Sequence, residues 1–229
     1  PAKGNDAAQK PAVAAPVSGG LNAAQQEAVT ASDSAVAVIA GPGTGKTSTL
    51  VSRIAYLVEE RGVSPAQIIA VTFTNRAAGE LRERLEKRFG GKRMVKAMTI
   101  GTFHAICLRL LSEQGGHAVA IADEAALLAL LQEILDEQGL KTAPRDVLRG
   151  ISLIKNGALK PGECPDVPPG VYDAYCERLA AQGAADYDDI ILEALKLFED
   201  EAAPPAERFR HLLVDEFQDV NAMQYRLIR

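Results

Sequence analysis

Cysteine is scarce in this sequence: Cys107, Cys164 and Cys176 are odd in number and show no CxxC or Cys/His ligand spacing. That pattern gives no support to a disulfide framework or a zinc site and fits a reducing, intracellular compartment. No apolar run approaches the roughly 18 residues that span a bilayer. The first residues lack the charged and apolar regions of a signal peptide, so a soluble, cytoplasmic protein with no membrane partner is expected. Net basic charge is missing as well, since the formal charge is -5, whereas a dedicated nucleic-acid-binding domain often has an excess of Lys and Arg. The distribution departs from the total: Arg76 to Lys96 holds eight basic and three acidic residues. One basic helix face is therefore expected, either touching phosphates or simply solvated. There is no internal repeat. There is also no initiating Met before Pro1 and no helix-ending signal at Leu227-Ile228-Arg229, so a longer parent polypeptide is expected.

What is present is an ordinary globular balance, 229 residues with 47% hydrophobic and 24% charged, enough for a sizeable core. Residues 1 to 20 are rich in Ala, Pro and Gly, the composition of a flexible linker. Beyond Leu21 the pattern alternates: a helix over Asn22 to Thr30, a strand Ala35 to Ala40, a glycine loop, and a helix through Leu50, Ile54 and Leu57. A strand Ile68 to Phe73, a charged helix Asn75 to Phe89, a strand Ala97 to Ile100 and a helix from Thr102 follow. Such alternation predicts an α/β fold, a parallel sheet with helices on both faces. From about Ala122 helical period takes over, in Ala125 to Leu135, Arg145 to Ile154, Val171 to Ala181 and Tyr187 to Phe198, with Pro161, Pro165, Pro168 and Pro169 marking a loop. Strand pattern resumes at His211 to Val214. The expected organisation is a discontinuous α/β domain, 21 to 114 and 206 to 229, interrupted by an α-helical insertion subdomain, 115 to 205.

The chemistry concentrates in two motifs. In Ala40-Gly41-Pro42-Gly43-Thr44-Gly45-Lys46-Thr47 an apolar segment runs into a glycine-rich loop ending in Gly-Lys-Thr before an amphipathic helix, the context of a phosphate-binding Walker A loop. The glycines let successive N–H groups point inward at phosphate oxygens, aided by the helix N-terminus. Lys46 supplies a mobile charge for the β and γ phosphates, and the Thr47 hydroxyl is a ligand for Mg²⁺. Ala40 stands where the pattern usually begins with Gly. A plain glycine turn would explain the glycines but not Lys-Thr at this offset. The second motif is Leu212-Leu213-Val214 followed by Asp215-Glu216, a short apolar strand with acids at its carboxyl end, where α/β sheets place their ligands. Asp215 would hold Mg²⁺ and Glu216 would orient and deprotonate an attacking water.

Asp215-Glu216-Phe217-Gln218-Asp219 resembles the DEFQD form of motif II in UvrD/Rep/PcrA-like superfamily 1 DNA helicases. Three further segments resemble that family in its order: Leu21 to Val29 its Q motif, Val71-Thr72-Phe73-Thr74-Asn75-Arg76-Ala77-Ala78 its motif Ia, and Thr102-Phe103-His104 the next DNA-contacting motif. The resemblance implies a P-loop, RecA-like domain in which Gln25 reads the adenine edge of ATP, while Phe73, Asn75, Thr102 and His104 line a single-strand track. Each residue also has a plainer reading: Gln25 as a polar helix residue, Phe73 as core, Asn75 and Thr102 as helix caps, and His104 as a satisfied polar contact. Asp186 to Asp189 are read as a helix cap opposing the dipole. Ser48 departs from relatives, which often have Arg there to stack on the base.

The resemblance implies ATP-driven 3′ to 5′ translocation on single-stranded DNA, or at a single/double-strand junction, by a cytoplasmic protein that joins the nucleoid when on DNA. ATP and Mg²⁺ are the implied cofactors, with Lys46 and Glu216 carrying catalysis. A second RecA-like domain, which in relatives supplies arginines to the γ-phosphate, has no counterpart in these 229 residues. Two alternatives stay open: the motor part of a RecB-like helicase-nuclease, and a nucleotide-gated DNA-binding module without unwinding.

Overall fold

A computed structural model describes residues 20–113, 120–199 and 208–229. The expected linker, apart from Gly20, and the expected limits of the insertion at 114/115 and 205/206 lie outside the described residues. The described chain divides into two compact units, one containing residues up to Pro65 with Leu81–Ala97, the other Ala66–Glu80 with Met98–Arg229.

The first unit is helical. Asn22 caps α1 (Ala23–Thr30) through a reciprocal pair: its Oδ1 accepts from Gln25 N at 2.9 Å while its own N–H donates to Gln25 Oε1 at 2.9 Å. This capping box satisfies two donors that a helix start leaves orphaned. Helix α2 (Lys46–Glu59) buries Ile54, Ala55 and Leu57, a helical spacing that places them on the inner face. Helix α3 (Asn75–Arg88) contributes buried Leu81 and Leu85 here, and α4 (Lys92–Ala97) contributes Val95. Arg88 Nη2 pairs with Glu59 Oε2 at 2.6 Å, tying α3 to α2, and Arg53 Nη1 donates to Val29 O at 2.7 Å, tying α2 to α1.

The second unit holds the sheet. Strands β1 (Ile68–Thr72), β2 (Thr99–Thr102) and β5 (His211–Val214) run parallel in the order β2-β1-β5, with Thr72 opposite Thr102 and Val71 opposite Val214. The central strand buries Ile68, Ala70 and Val71. Its buried, β-branched-rich sequence suits a strand covered on both sides. Helix α5 (Phe103–Glu113) packs on β2 and on α9 (Tyr187–Glu199), which also meets α10 (Ala222–Ile228). Their shared core comprises Val71, Phe103, Ile106, Leu110, Ile191 and Leu195 among others. A second core lies among α6 (Glu124–Glu137), α7 (Pro144–Lys155) and α8 (Val171–Ala181), around Leu131, Ile134, Val147, Ile151 and Tyr175.

The expected α/β class with a parallel sheet holds, and three local expectations need correction. Ala35 to Ala40 is not a strand, and Val36, Val38 and Ile39 are exposed. Strand hydrogen bonds are all made to a neighbour, and this segment pairs with no strand among the described residues. Ala97 ends α4, so β2 begins later, at Thr99. Finally, the helical stretch is not free of strand: Ala120–Ile121 (β3) and Ala184–Ala185 (β4) form a short parallel pair, too short for period-2 reading to detect.

Candidate functional site

In the first unit, the loop from Gly41 to Gly45 lifts the chain into α2. Gly45 is the helix N-cap, at φ 87° and ψ 27°, and Gly43 has φ 76°. That left-handed region is open to glycine at little cost. A Cβ at Gly45 would also lie 2.9 Å from Gln25 Nε2. Within the loop, the Thr44 hydroxyl donates to Gly41 O at 2.7 Å. Gln25 braces it from α1, where Nε2 donates to Thr44 O at 2.9 Å while Oε1 accepts from Asn22 N. The side chain expected to meet adenine is thus also a strut of the phosphate loop. Gly41, Pro42, Gly43 and Thr44 are exposed, while Ala40 ahead of the loop and Lys46 and Thr47 at the start of α2 are half-buried, so the first N–H groups of a 14-residue helix present a positive dipole end.

In the second unit, parallel strands bring three predicted segments to one edge of the sheet. Register places Thr72 beside Thr102 and Val71 beside Val214, so Phe73 and Asn75, Thr102 and His104, and Asp215 and Glu216 all leave the carboxyl ends of adjoining strands. Open α/β sheets bind ligands at that edge. Asp215 is anchored by its own N–H donating to Val71 O at 2.9 Å, and its Oδ1 accepts from Glu216 N at 3.1 Å. Glu216 has φ 50° and ψ 47° and is the one non-glycine residue at positive φ among the described residues. Such backbone conformations are costly for a side chain and cluster at functional positions. Gln218 Nε2 donates to Glu216 Oε2 at 2.6 Å and so fixes the direction of the carboxylate.

The plainer readings are met in part. Thr102 Oγ1 accepts from Ala105 N at 3.3 Å, a helix cap, but the cap of α3 is Thr74, whose Oγ1 accepts from Ala77 N at 3.0 Å, and Asn75 is exposed. Phe73 is half-buried with its ring edge-on to Phe103, centroids 6.1 Å apart. His104 lies flat on Tyr187, with centroids 3.9 Å apart and planes 25° apart. Burial lowers the His104 pKa below its ordinary value, against the opposing pull of Asp188, which favours the uncharged imidazole in the stack. Tyr187 is 56% exposed. Sequence reasoning missed it because it sits between acids already assigned to a cap; an aromatic at a helix start flanked by charges was the available signal.

Asp186 and Asp189 do cap α9, each carboxylate accepting from the other's backbone N–H at 3.0 and 3.1 Å. They do more: Lys155 Nζ, almost fully buried, donates to Asp186 Oδ2 and Asp189 Oδ1 at 2.7 Å each, and Tyr175 Oη donates to Asp186 Oδ2 at 2.8 Å. Burial alone would lower the Lys155 pKa, but the two carboxylates outweigh it and raise it. Burial pushes Asp186 up, and the bonds from Lys155 and Tyr175 reverse that, holding its carboxyl below the usual range. Burial and the adjacent Asp186 charge leave Asp189 raised despite Lys155. Among the cysteines, burial pushes the Cys107 thiol up to about 12, which makes it a poor nucleophile. The three cysteines are free, and among the described residues no cluster of His, Cys, Asp and Glu could hold a metal by itself. Asp215, a hard oxygen donor at a strand end, suits Mg²⁺ of the kind that takes its other ligands from phosphate and water.

Among the described residues no helix is long and apolar enough to cross a membrane. The UvrD/REP helicase N-terminal domain model matches residues 21–229. ATP-dependent DNA helicase UvrD1 of Mycobacterium tuberculosis is 39% identical over 233 residues, covering 92% of this chain and 30% of the relative. ATP-dependent DNA helicase PcrA of Bacillus subtilis is 38% identical over 230 residues, covering 92% and 31%, and PcrA of Staphylococcus aureus is 32% identical, covering 91% and 31%. The chain therefore spans about 30% of the length of these relatives, and with its glycine loop, its acidic loop and the segments between them it belongs to the UvrD/REP helicase family, in that family's N-terminal domain.

Proposed function

We propose that this chain is the ATP-binding part of a 3′ to 5′ translocase that unwinds DNA from a single strand or a single/double-strand junction. Residues Ala40 to Thr47 would hold the triphosphate and Gln25 the adenine. Thr47 and Asp215 would hold Mg²⁺, which when bound neutralises charge on the phosphates. The observation that best supports hydrolysis is Glu216: a strained residue at the carboxyl end of a parallel strand, its carboxylate aimed by Gln218. A carboxylate so fixed can accept the proton of an attacking water, while Lys46 meets the charge on the γ-phosphate. Phe73, Asn75, Thr102 and His104 leave adjoining strand ends and, with the open ring of Tyr187, form a surface on which bases can stack. The cytoplasm, with recruitment to the nucleoid, is the setting this reading implies.

A second RecA-like domain is the required partner. Arginines delivered to the γ-phosphate are worth on the order of 10³ to 10⁵ in rate, so the 229-residue chain by itself is expected to bind nucleotide weakly, turn it over very slowly and not unwind DNA. Glu216→Gln in the full-length protein tests the assignment. DNA-stimulated ATP turnover should fall by about 10² or more, with nucleotide affinity retained; unchanged turnover would remove Glu216 from the reaction.

A further inference from the structure

The mechanism above leaves unused a chain of polar contacts in the second unit. Asn156 is the C-cap of α7 and is half-buried. Its Nδ2 donates to Asp188 Oδ1 at 2.8 Å and to Ser152 O at 2.9 Å, and its Oδ1 accepts from Asn221 Nδ2 at 2.7 Å. Asn221 in turn caps α10, with Oδ1 accepting from Gln224 N at 2.9 Å and its N–H donating to Gln224 Oε1 at 3.2 Å. The turn after α7 packs against the start of α10: a Cβ at Gly157 would sit 2.7 Å from Met223 Cε and 3.6 Å from Ala222 Cβ. One side-chain amide thus spends both its ends joining the first turn of α9 to the cap of α10.

The two termini of this bridge adjoin segments to which the proposed function gives roles. Asp188 directly follows Tyr187, the exposed ring stacked on His104. Asn221 closes the short segment that starts at Asp215 and Glu216, with a 3-10 turn over Phe217–Asp219 in between. We propose that Asp188, Asn156 and Asn221 are positioning residues of a relay that transmits occupancy of the DNA track to the acidic loop. The relay rests on the reading of Tyr187 and His104 as DNA contacts and of Glu216 as the base. A base stacking on Tyr187 bears on the first turn of α9. Hydrogen bonds of 2.7 and 2.8 Å tolerate little displacement, so a shift of Asp188 must be followed by Asn156 and by the α10 cap, or the bridge breaks. Either outcome changes how the acidic loop is held.

The test uses the full-length protein and a fluorescent ATP analogue, titrated with and without oligo-dT. In the wild type, oligo-dT should change nucleotide affinity by about 5-fold or more, the usual lower size of such coupling. Asn156→Ala should shrink the factor to within about twofold while nucleotide affinity alone and DNA affinity alone stay near wild type. Asn221→Ser keeps a competent helix cap but loses the bridging amide, so it should reproduce the effect while the melting temperature falls by no more than about 4 °C, and it carries the test if Asn156→Ala folds poorly. The double variant should be no worse than either single one. Coupling that survives both substitutions overturns the relay, as does a wild type that binds both ligands without mutual effect. A wild type that fails to bind nucleotide or DNA overturns the functional reading, and the relay with it.

Discussion

Lys155 offers the sharpest test of what holds the helical part of the second unit in place. Its side chain is 2% exposed, and those of Asp186 and Asp189 are 7% and 24% exposed. Replacement by Met keeps an unbranched stem of similar length but leaves two carboxylates facing each other without a cation. Breaking a buried pair by removing one partner costs about 3–5 kcal/mol, a large part of the roughly 5–15 kcal/mol that a domain possesses. At about 2–4 °C per kcal/mol for chains of this size, the melting temperature should drop by about 6–20 °C. The pH dependence identifies the cause. In the wild type, the Asp186 pKa lies below 3.8, so its contribution is present above that value and is lost as pH falls through the folded pKa. The Lys155 pKa lies above 10.5, so its contribution is complete below that value and is lost as pH rises through the folded pKa. In Lys155→Met the uncompensated carboxylates prefer to be protonated, so the variant gains on the wild type as pH falls toward 3.8. Denaturant titrations followed by far-UV circular dichroism read the difference directly. A loss below about 1 kcal/mol at neutral pH, the size of a surface pair, or a loss that does not narrow on acidification, would refute the argument.

The remaining predictions concern the two loops and the stacked rings. Gly45→Ala forces a side chain to φ 87° and 2.9 Å from Gln25 Nε2, so nucleotide affinity should fall by about tenfold or more, since even a 1.4 kcal/mol strain is a factor of ten. Gly91→Ala, which meets nothing within 4 Å at an ordinary φ, is the control and should leave binding and stability unchanged. Tyr187→Ala should weaken oligo-dT binding by about 5- to 150-fold, equivalent to about 1–3 kcal/mol per stacked base, read by fluorescence anisotropy. Anisotropy unaltered by the substitution would remove Tyr187 from the track. Affinity for oligo-dT should also fall linearly with log salt, and a flat response would exclude phosphate contacts from the basic residues between Arg76 and Lys96.

How far the sequence announced these features depends on whether their signal was local. The glycine loop and the helix after it are short-range patterns, and the structure has the loop end at Gly45, the N-cap of α2, whereas the capping box at Asn22 came from the structure alone. Strands β1 and β5 were legible as apolar runs and β2 was expected two residues early, but Ala35 to Ala40 shows the limit of that rule. Its composition is that of a strand, yet strand formation depends on a neighbour that the segment itself does not encode. The same limit applies to the acidic cluster. A helix cap at Asp186 and Asp189 could be read from position, whereas Lys155 reaches them across 31 and 34 residues. Nothing at Lys155 in a helical run of Ile and Leu distinguishes a buried cation from a solvated one.

Helix α9 shows why that long-range contact matters. Sequence period grouped it with the insertion, but its buried Ile190, Ile191, Ala194 and Leu195 belong to the core shared with α5 and the sheet, while its first turn is gripped by Lys155 and Asn156 from α7. One helix therefore serves two cores, apolar along its length and ionic at its start. Apolar burial fixes how tightly α9 is held but is tolerant of small rotations, because area changes little when a face slides. The paired hydrogen bonds from Lys155 to Asp186 and Asp189 are directional and fix its register. That register places Tyr187 over His104, so the buried cation acts on the stacking surface without touching it. Lys155→Met should accordingly weaken oligo-dT binding even under conditions where the variant is fully folded, and an oligo-dT affinity identical to wild type would show that the apolar face alone sets the position of α9.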